Sequence, residues 1–559
     1  MKKIIFLIIA TLLVIGLVLP GCGNGVTDPR PVITLGIAGP MGAAQGDHHY
    51  YGAELAADEI NGSDTATDGV DIGGTLYKIE LIKIDTNEIL NPSGADGTTR
   101  MEANVDDVDF FLGGFRTEAV LAYRTVALEA GKLFIDCGAA TEALQQPCAT
   151  NYTNYKTWFK GTPPNELFLS LSNNKLFYQL VVTGQTALAN PSWMPTIALV
   201  PENALWTELS RIAAWASLGP AGLGLLVPSV GSPNPANPDD WMWKPSPVAT
   251  TSEMNIISQQ IATADPDAIL TLMSGPCGAS FGNIIKDYVD DECLIIGINV
   301  EAQRDEFPDA AKYAEGMIFL DSWAPGVNYT DTTAAFISDF ETEYGEGPIY
   351  TAATYDAVLA LVEAIEGKDS KVTADIIAWM EDPDNAREGT TGTSAYYPQW
   401  DQSTQGAHPL AALGYGPLAP ALTQAQVLEL YPWLDNAKFF DGAAVSNWTY
   451  DVDDWTMPAH TTHDLVYGPQ WVTGSASQWQ DDGGTLKKVG VWPVAMPGLP
   501  TDLATAMSYI NIGAINATTL AGLQALGIWD QYGWWNFEYE GTGDWILSDW
   551  LVWLGTRYP

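Results

Sequence analysis

The chain has 559 residues, which is too many for one hydrophobic core, so two or more folding units are expected. Its 68 Asp and Glu residues outweigh 24 Lys and Arg residues and give a net charge of −44. This balance argues against a nucleic-acid partner, because phosphate contacts require clustered Lys and Arg. Two interpretations of the acidic surface stay open: solvation of a soluble protein whose self-repulsion is screened by salt, and attraction of a cation-rich ligand.

The N-terminus has the features of an export signal. Two lysines precede an apolar run over residues 4–19, which is short for a spanning helix and is followed by Pro and Gly before Cys22. The Leu-Pro-Gly-Cys segment resembles the lipobox of bacterial and archaeal lipoproteins, in which the signal is cleaved before a lipid-carrying cysteine. We therefore expect residues 1–22 to be a lipoprotein signal peptide and the protein to be extracytoplasmic and lipid-anchored through Cys22. An uncleaved anchor helix is the alternative.

Short strands alternate with helices along the first third of the chain. The strands are predicted at 32–38, 76–84, 108–112 and 133–136, and the helices at 51–61 and 118–130. β-Branched runs and Gly-Pro or Gly-Gly stops indicate the strands, while apolar residues at helical spacing indicate the helices. Such alternation is typical of parallel βαβ units in a doubly wound sheet.

The same alternation resumes later in the chain and then stops. The later strands are predicted at 196–200, 268–273 and 294–298, and the helices at 205–216, 281–289 and 355–365. Residues from about 400 to 460 are rich in Trp, Pro, Gly and Asp and show poor periodicity. Beyond them, strands are predicted at 471–479 and 487–492 and an amphipathic segment at 545–554. Two alternating blocks indicate two similar lobes.

The sequence offers no catalytic constellation. The two histidine clusters, at residues 47–49 and 460–464, do not match the HExxH spacing of helical zinc hydrolases. Neither a GxSxG elbow nor a GxxxxGK[ST] loop occurs. We expect no enzyme activity, no metal site and no cofactor. An extracellular hydrolase, which 21 Trp residues could suggest, lacks a nucleophile or metal set.

Four cysteines remain beyond Cys22, and an exported protein permits disulfides. Cys137 and Cys148 lie eleven positions apart around a predicted loop, so we predict a disulfide between them. Cys277 and Cys293 are predicted to flank one helix, which would hold their thiols too far apart to bond.

Two long stretches carry a family resemblance: ITLGIAGPMGAAQGDHHYYGAELAADEIN and VDFFLGGFRTEAVLAYRTVALEAGKLFIDCGAATEAL. They resemble the type I periplasmic binding proteins, within them the branched-chain amino acid (Leu/Ile/Val) and amide-binding branch of ABC transporter substrate-binding proteins. TIALVPENALWTE, EGMIFLDSWAPG and PIYTAATYDAVLALVEAI also match. The resemblance covers most of residues 32–400 and 463–493. It implies an α/β fold of two Rossmann-like lobes with parallel sheets, joined by a three-crossing hinge.

The resemblance also implies a division of the chain. The first lobe is expected at 32–155 and 322–460, and the second at 156–321 and 461–494. Residues of about 401–459 form an insertion within the first lobe, and 495–559 form a C-terminal extension.

Ligand contacts are carried over from the family where positions match. A family Ser or Thr that binds the ligand carboxylate falls on Thr117, with Arg116 before it. The family Gly-Ala-Thr turn falls on Gly138, Ala139 and Ala140, so that Ala140 replaces a hydroxyl residue and Thr141 follows. Alternatives stay open: Thr117 could cap the next helix, and Arg116 could face solvent.

Three further contacts depart from the family pattern. Gln45 stands where the family has an aromatic residue near the first turn, and Trp206 stands where a second-lobe aromatic covers the ligand. Trp206 could instead belong to the core. The acidic residue that pairs with an α-amino group is expected near Asn299 or Glu301.

The resemblance implies a function in binding. We expect a solute-binding protein of an ABC importer that captures a small polar solute, an amino acid or an amide-like molecule, between its lobes. Its expected partners are that small-molecule solute and an ABC permease in the membrane. The alternative is a ligand-sensing binding protein coupled to a receptor.

Overall fold

The structure is a computed structural model that describes residues 28–163, 169, 184, 187–190, 193–220, 224–396, 463–465, 472, 474–492, 538–539 and 547–558. Cys22, the predicted signal peptide, the predicted insertion 401–459 and most of the predicted C-terminal extension lie outside these residues. Within these ranges, no helix combines the length and the apolarity needed to cross a membrane.

The first sheet has six strands in the order β2-β3-β1-β4-β5-β6. Its strands are β1 (Val32–Gly39), β2 (Val70–Ile72), β3 (Thr75–Asp85), β4 (Phe110–Gly113), β5 (Phe134–Asp136) and β6 (Trp158–Lys160). β2 is antiparallel to β3, and the remaining pairs are parallel. β6 belongs to this sheet, although the predicted division would give residues 158–160 to the second lobe.

Helices cover both faces of the first sheet. They are α1 (Ala44–Asn61), α2 (Ala95–Asn104), α3 (Thr117–Glu129), α4 (Glu142–Thr150) and α5 (Tyr152–Tyr155). Alternate residues of each strand point to opposite faces, so Ile135 packs with Ala53 and Ala56 of α1, while Phe134 packs with Val120 and other residues of α3. Burial on both faces explains why the central strand β4 is apolar throughout, whereas β3, next to the edge strand β2, includes charged residues.

The second sheet also has six strands, in the order β15-β14-β10-β9-β8-β7. Its strands are β7 (Ile197–Pro201), β8 (Ala268–Met273), β9 (Leu294–Asn299), β10 (Ile318–Asp321), β14 (Ser475–Asp481) and β15 (Leu486–Trp492). β7 to β10 are parallel neighbours, and β14 is antiparallel to both β10 and β15. Its helices are α6 (Glu208–Leu218), α7 (Thr251–Ala264), α8 (Gly275–Ile284) and α9 (Phe307–Ala310).

Between these two sets of strands the chain returns to the first lobe. The returning elements are β11 (Val327–Asn328), α10 (Thr333–Tyr344), α11 (Thr354–Lys368), α12 (Thr373–Met380), β12 (Arg387–Gly389) and β13 (Gly392–Ser394). Apolar residues of α11 and α12 pack with Ile33, Leu35 and Ile37 of β1. The chain therefore passes between the two sheets three times: after β6, after β10 and before β14. The predicted two-lobe fold with three crossings is confirmed.

The described parts of the C-terminal extension contact both lobes. β16 (Glu538–Tyr539) pairs with β11, and α13 (Ser548–Arg557) buries Trp550 and Leu554 in the second-lobe core. The Tyr558 hydroxyl donates to Asp267 Oδ2 at 2.9 Å, and Arg557 pairs with Asp265 at 2.8 Å. The amphipathic segment predicted at 545–554 is thus a helix shifted by three residues.

Most predicted elements are present, with two informative shifts. The first helix begins at Ala44 rather than at residue 51, because the polar residues at its start are buried and so do not follow the apolar periodicity. The helix predicted at 281–289 is α8 (Gly275–Ile284) followed by a 3₁₀ turn, since Pro276 occupies the first turn, where the missing N–H of proline has no bond to lose.

The predicted disulfide between Cys137 and Cys148 is wrong. All four described cysteines are free and buried. Cys137 packs with Ile135 on one face of the first sheet, whereas Cys148 packs with Phe134 and Trp158 on the other. Phe134 and Ile135 point to opposite faces because side chains alternate along β5. Cys137 lies on the Ile135 face and Cys148 of α4 lies on the Phe134 face, so the sheet separates the two thiols.

Candidate functional site

A cavity lies between the lobes, where the parallel strands of both sheets end. Its volume is about 830 Å³ when the open solvent at its mouth is included. The lining residues are Phe115, Arg116, Gly138 and Ala140 of the first lobe, Trp206, Ser274, Ile298, Val300, Gln303 and Leu320 of the second, Thr162, Pro163, Asp321, Ser322 and Gly474 at the crossings, and Leu169 and Tyr350. Carboxyl ends of parallel strands are the usual binding edge of such sheets, because loops and helix N-termini meet there.

The first-lobe wall follows β4. Gly113 and Gly114 have φ of +108° and +104°, a region that glycine adopts without strain, and a Cβ at Gly113 would collide with the carbonyl oxygen of Ala38. This turn delivers Phe115 and Arg116 to the cavity. The Arg116 backbone N–H donates to Glu88 Oε2 at 2.7 Å, which holds the turn against the end of β3.

The Arg116 side chain is the distinctive feature of this wall. It is 5% exposed, and its Nε and Nη2 atoms are buried without a hydrogen-bond partner. Arg116 forms no ion pair with any carboxylate in the described part of the chain. A buried guanidinium without acceptors is unfavourable by roughly 1–3 kcal/mol for each unmet donor. The site is therefore arranged for an acceptor from outside the chain.

Two helix N-termini face the cavity from opposite lobes. Arg116 occupies the cap position of α3, and Ser274 occupies the cap position of α8. A Cβ on Gly275 would lie 3.7 Å from Arg116 Nη2, so the two helix starts approach each other closely. Free N–H groups at a helix start favour negative charge. Both lobes thus present positive potential to one point of the cavity.

Two buried carboxyls stand behind this point. Glu88 accepts from the Thr86 hydroxyl at 2.6 Å and from the Tyr123 hydroxyl at 3.3 Å, and burial raises its pKa to about 7. Glu202, which follows β7, accepts from the hydroxyl and the backbone N–H of Ser274 and from the Trp206 indole. Burial raises the pKa of Glu202 as well, and the nearby Arg116 charge opposes that shift.

A buried ion pair shapes the turn after β5. Lys160 Nζ lies 3.3 Å from Asp136 Oδ2, and both side chains are inaccessible to solvent. Asp136 Oδ1 accepts from the backbone N–H groups of Gly138 and Ala139, at 3.3 and 3.1 Å. Burial raises the pKa of Asp136, and the Lys160 charge counteracts this. The pair holds the turn in a conformation that places Gly138 and Ala140 on the cavity wall.

Four of the predicted contacts, Arg116, Gly138, Ala140 and Trp206, line the cavity together. Ala139 packs in the core instead. Thr141 caps α4, where its hydroxyl accepts from the Ala143 N–H at 3.4 Å.

Thr117 lies beside the cavity rather than among its lining residues. It is the first residue of α3, and no side-chain hydrogen bond caps that helix. Its hydroxyl is buried and has no hydrogen-bond partner. The capping alternative is therefore not observed, and Thr117 supplies a second unused donor next to Arg116.

Of the remaining predicted contacts, Gln45 and Glu301 join the lobes outside the cavity, and Asn299 bonds within the second lobe. The Gln45 amide donates to Glu301 Oε1 at 2.6 Å, and Glu301 Oε2 accepts from Arg304 at 3.0 Å. The Asn299 amide donates to the Gly278 carbonyl at 3.3 Å. Gln45, Asn299 and Glu301 are thus engaged with protein groups and do not line the cavity.

Other direct contacts also bring the lobes together. The Leu205 N–H donates to Glu118 Oε1 at 2.6 Å, and the Tyr350 N–H donates to Gln303 Oε1 at 3.0 Å. With the Gln45–Glu301 bond, these contacts surround the cavity. The structure therefore corresponds to a closed arrangement of the lobes.

Sequence reasoning missed Glu88, Glu202, Ser274 and Asp321. Three of them follow directly on the strands β7, β8 and β10, or end them. A search for polar residues at the carboxyl end of each predicted strand would have found those three. Glu88 lies three residues past β3, and no comparable signal marks it.

Comparison with known proteins supports the architecture. No protein-family model matches the chain, and no curated protein matches it. The structure is similar to an ABC transporter solute-binding protein from Rhodopseudomonas palustris in complex with 4-hydroxybenzoate, with a TM-score of 0.51, 14% identity, and coverage of 82% of this chain and 96% of that one. The branched-chain amino acid transporter substrate-binding protein LivJ of Streptococcus pneumoniae, in complex with isoleucine, has a TM-score of 0.47 and 17% identity, covering 82% and 99%.

A second Rhodopseudomonas palustris solute-binding protein, in complex with 3,4-dihydroxybenzoic acid, has a TM-score of 0.48 and 18% identity, covering 65% of this chain and 88% of that one. At these identities the likeness establishes architecture alone. The chain has the two-lobed fold of the type I periplasmic binding proteins, the fold of the first of these ABC transporter solute-binding proteins.

Proposed function

We propose that the protein is the extracytoplasmic solute-binding component of an ABC importer. It captures a small solute between its lobes and performs no chemistry on it. The observation that carries this proposal is the cavity between the lobes, which is lined by Arg116, a residue whose Nε and Nη2 atoms are buried without hydrogen-bond partners. A pocket bounded by two lobes and equipped with an unused buried donor is suited to retaining a ligand.

Lobe closure links binding to transport. In the closed form a ligand would contact Arg116 from one lobe and Trp206 from the other, so ligand binding favours that form over the open one. The Gln45–Glu301 hydrogen bond can exist only when the lobes are together. A membrane permease that recognises the closed form would then receive loaded protein in preference to empty protein.

The solute class follows from two considerations. The family resemblance favours an amino acid or an amide-like molecule. The structural neighbour with the TM-score of 0.51 binds 4-hydroxybenzoate, an aromatic carboxylate. A carboxylate is common to amino acids and to that ligand, and Arg116 is suited to bind it by two parallel hydrogen bonds.

A ligand screen by thermal unfolding tests the proposal. Amino acids, amides, short peptides and organic acids are added singly to the purified soluble protein lacking residues 1–22. A true ligand at about 100 times its Kd should stabilise the fold by about 2.7 kcal/mol. A panel in which no member raises the unfolding temperature would contradict the proposed binding role.

The lipid anchor belongs to the same proposal and rests on the segment before Cys22. Expression of the full chain and of Cys22→Ser, followed by membrane fractionation, tests it. Wild type should partition with membranes and incorporate labelled fatty acid. Cys22→Ser should neither partition with membranes nor incorporate the label. Equal labelling of both proteins would contradict a lipidated Cys22.

A further inference from the structure

Building on the proposed function, we propose that the solute is a carboxylic acid with an apolar or aromatic body and without an ammonium group. The described lining of the cavity has an unpartnered guanidinium, whereas the carboxylates in and near it are engaged by protein groups. This distribution of charge favours an acid over the amino acid that the family resemblance implies.

Among the described residues that line the cavity, Arg116 alone carries a positive charge. Arg116 Nε and Nη2 are buried and unpartnered, and Arg116 lines the cavity. The start of α8 approaches Arg116 Nη2 from the second lobe. Thr117, the residue after Arg116 in the chain, has a buried hydroxyl without a hydrogen-bond partner. A planar guanidinium with adjacent donors matches a carboxylate, which accepts several hydrogen bonds at once.

The cavity has no comparable place for an ammonium group. Asp321 is the single carboxylate among the described residues that line it. Asp321 Oδ2 accepts from the Ser477 hydroxyl at 2.8 Å and lies 3.9 Å from Lys488 Nζ, and its Oδ1 accepts from the Trp323 N–H at 3.4 Å. Its charge is therefore balanced by protein groups at the crossing between the lobes.

The nearby glutamates are equally engaged. Glu202 accepts three hydrogen bonds from Ser274 and Trp206. Glu301, the residue that the resemblance assigns to an α-amino group, accepts from Gln45 and Arg304 instead. An α-ammonium group buried here would lose its hydration without gaining a carboxylate, which is strongly unfavourable.

The remaining wall is mostly apolar. Aromatic or aliphatic side chains form it on both sides of the cavity: Phe115, Leu169, Trp206, Ile298, Val300, Leu320 and Tyr350. Such a lining is suited to a hydrocarbon or a ring at the end of the molecule away from Arg116. The cavity thus combines one anion-binding end with one apolar end.

Titration calorimetry at pH 7.5 with matched molecules tests the inference. The pairs are 4-methylpentanoate with leucine and 3-phenylpropanoate with phenylalanine, and the corresponding neutral amides complete each set, alongside benzoate and a series of aliphatic acids. We expect at least one acid to bind, with its amino acid and its amide each weaker by about tenfold or more.

The outcomes separate the two proposals. An amino acid that binds as tightly as its matched acid, or a panel in which amino acids or amides bind and no acid does, overturns the inference and leaves the proposed function standing. A panel with no binding by any member overturns both.

Variants of Arg116 give an independent readout. Arg116→Gln should weaken the best acid by about 100-fold, because the carboxylate then loses a charge-assisted pair of bonds, and should leave the affinity for the neutral amide nearly unchanged. Arg100→Gln, at an exposed arginine of the same lobe, is the matched control and should bind as wild type. Arg116→Lys keeps the charge without the planar fork and should weaken the best acid by about tenfold, which gives a second test that retains the buried charge. Wild-type affinity for the acid in either Arg116 variant overturns the inference.

Discussion

The two lobes share one architecture and build different walls for the same cavity. In the first lobe, glycine turns after β4 and β5 bring the backbone close to the cavity and leave Arg116 with unused donors. In the second lobe, Glu202 is fully engaged by Ser274 and Trp206, and most of the other lining residues are apolar. The residues that follow the strands, rather than the strands themselves, therefore give the first lobe the unused guanidinium donors and give the second lobe most of the apolar cover, together with the helix start that faces Arg116.

The largest expected effect concerns the buried carboxyl behind Arg116. Burial raises the Glu88 pKa to about 7, so the folded state holds a proton that the unfolded state releases near pH 4.5. Protonated Glu88 therefore contributes on the order of 3 kcal/mol to the free energy of unfolding below pH 4.5, and this contribution is lost as pH rises through 7. Glu88→Gln mimics the protonated form and should lose much less stability between pH 5 and pH 8 in urea unfolding.

Glu102→Gln, at an exposed glutamate of α2, is the matched control for this measurement. It should follow the wild-type pH dependence. Parallel pH profiles for wild type and Glu88→Gln would show that Glu88 does not titrate in this range. A neutral Glu88 also leaves the Arg116 charge less opposed, so the affinity for an acid should rise as pH falls from 8 to 6.

The second-lobe wall is tested by Trp206. Trp206→Ala removes aromatic cover and one donor to Glu202, and should weaken the best ligand by about tenfold or more, as expected for 1.5–3 kcal/mol of lost burial. Trp206→Phe keeps the ring and should retain most of the affinity. If calorimetry finds unchanged affinity in Trp206→Ala, the indole belongs to the core and the proposed division between the walls is wrong.

Features set by neighbouring residues in the chain can be predicted from the sequence, whereas contacts between residues far apart in the chain cannot. The β-branched runs at β1, β3 and β9 and the glycines that end β1 and β4 are local signals, so the strands and the two-lobed fold follow from them and from the resemblance. The Gln45–Glu301 bond joins residues 256 positions apart, and only the packed lobes show that these two side chains form a hydrogen bond with each other.

Only part of the candidate site was predicted, because its contacts between the lobes are also long-range. The family resemblance assigns Arg116, Gly138 and Trp206 to the site, and all three line the cavity. Arg116 has two buried nitrogens without partners and lies close to Gly275 of the other lobe, an arrangement that no local sequence pattern encodes. The misassigned disulfide has a local cause, since the alternation along β5 was not applied to Cys137.

A smaller effect is expected from Thr117. Thr117→Ala removes the buried hydroxyl beside Arg116 and should weaken an acid by roughly fivefold, as expected for one hydrogen bond of about 1 kcal/mol. Thr117→Ser keeps the hydroxyl and should bind as wild type. Wild-type affinity in the alanine variant would remove this hydroxyl from the anion-binding end.

The smallest effect is expected from Gln45, which joins the lobes without lining the cavity. Gln45→Ala should weaken every ligand by the same factor, roughly threefold, because it destabilises the closed form rather than a particular contact. Calorimetry on two chemically different ligands measures this. Unequal losses for the two ligands would indicate that Gln45 contacts the solute directly.

A crystal structure of the protein with the tightest-binding acid tests the central claim most directly. We predict the carboxylate within hydrogen-bond distance of Arg116 Nε and Nη2, with the body of the acid between Phe115 and Trp206. An acid bound outside the cavity, or one whose carboxylate points to the second lobe away from Arg116, would contradict the account.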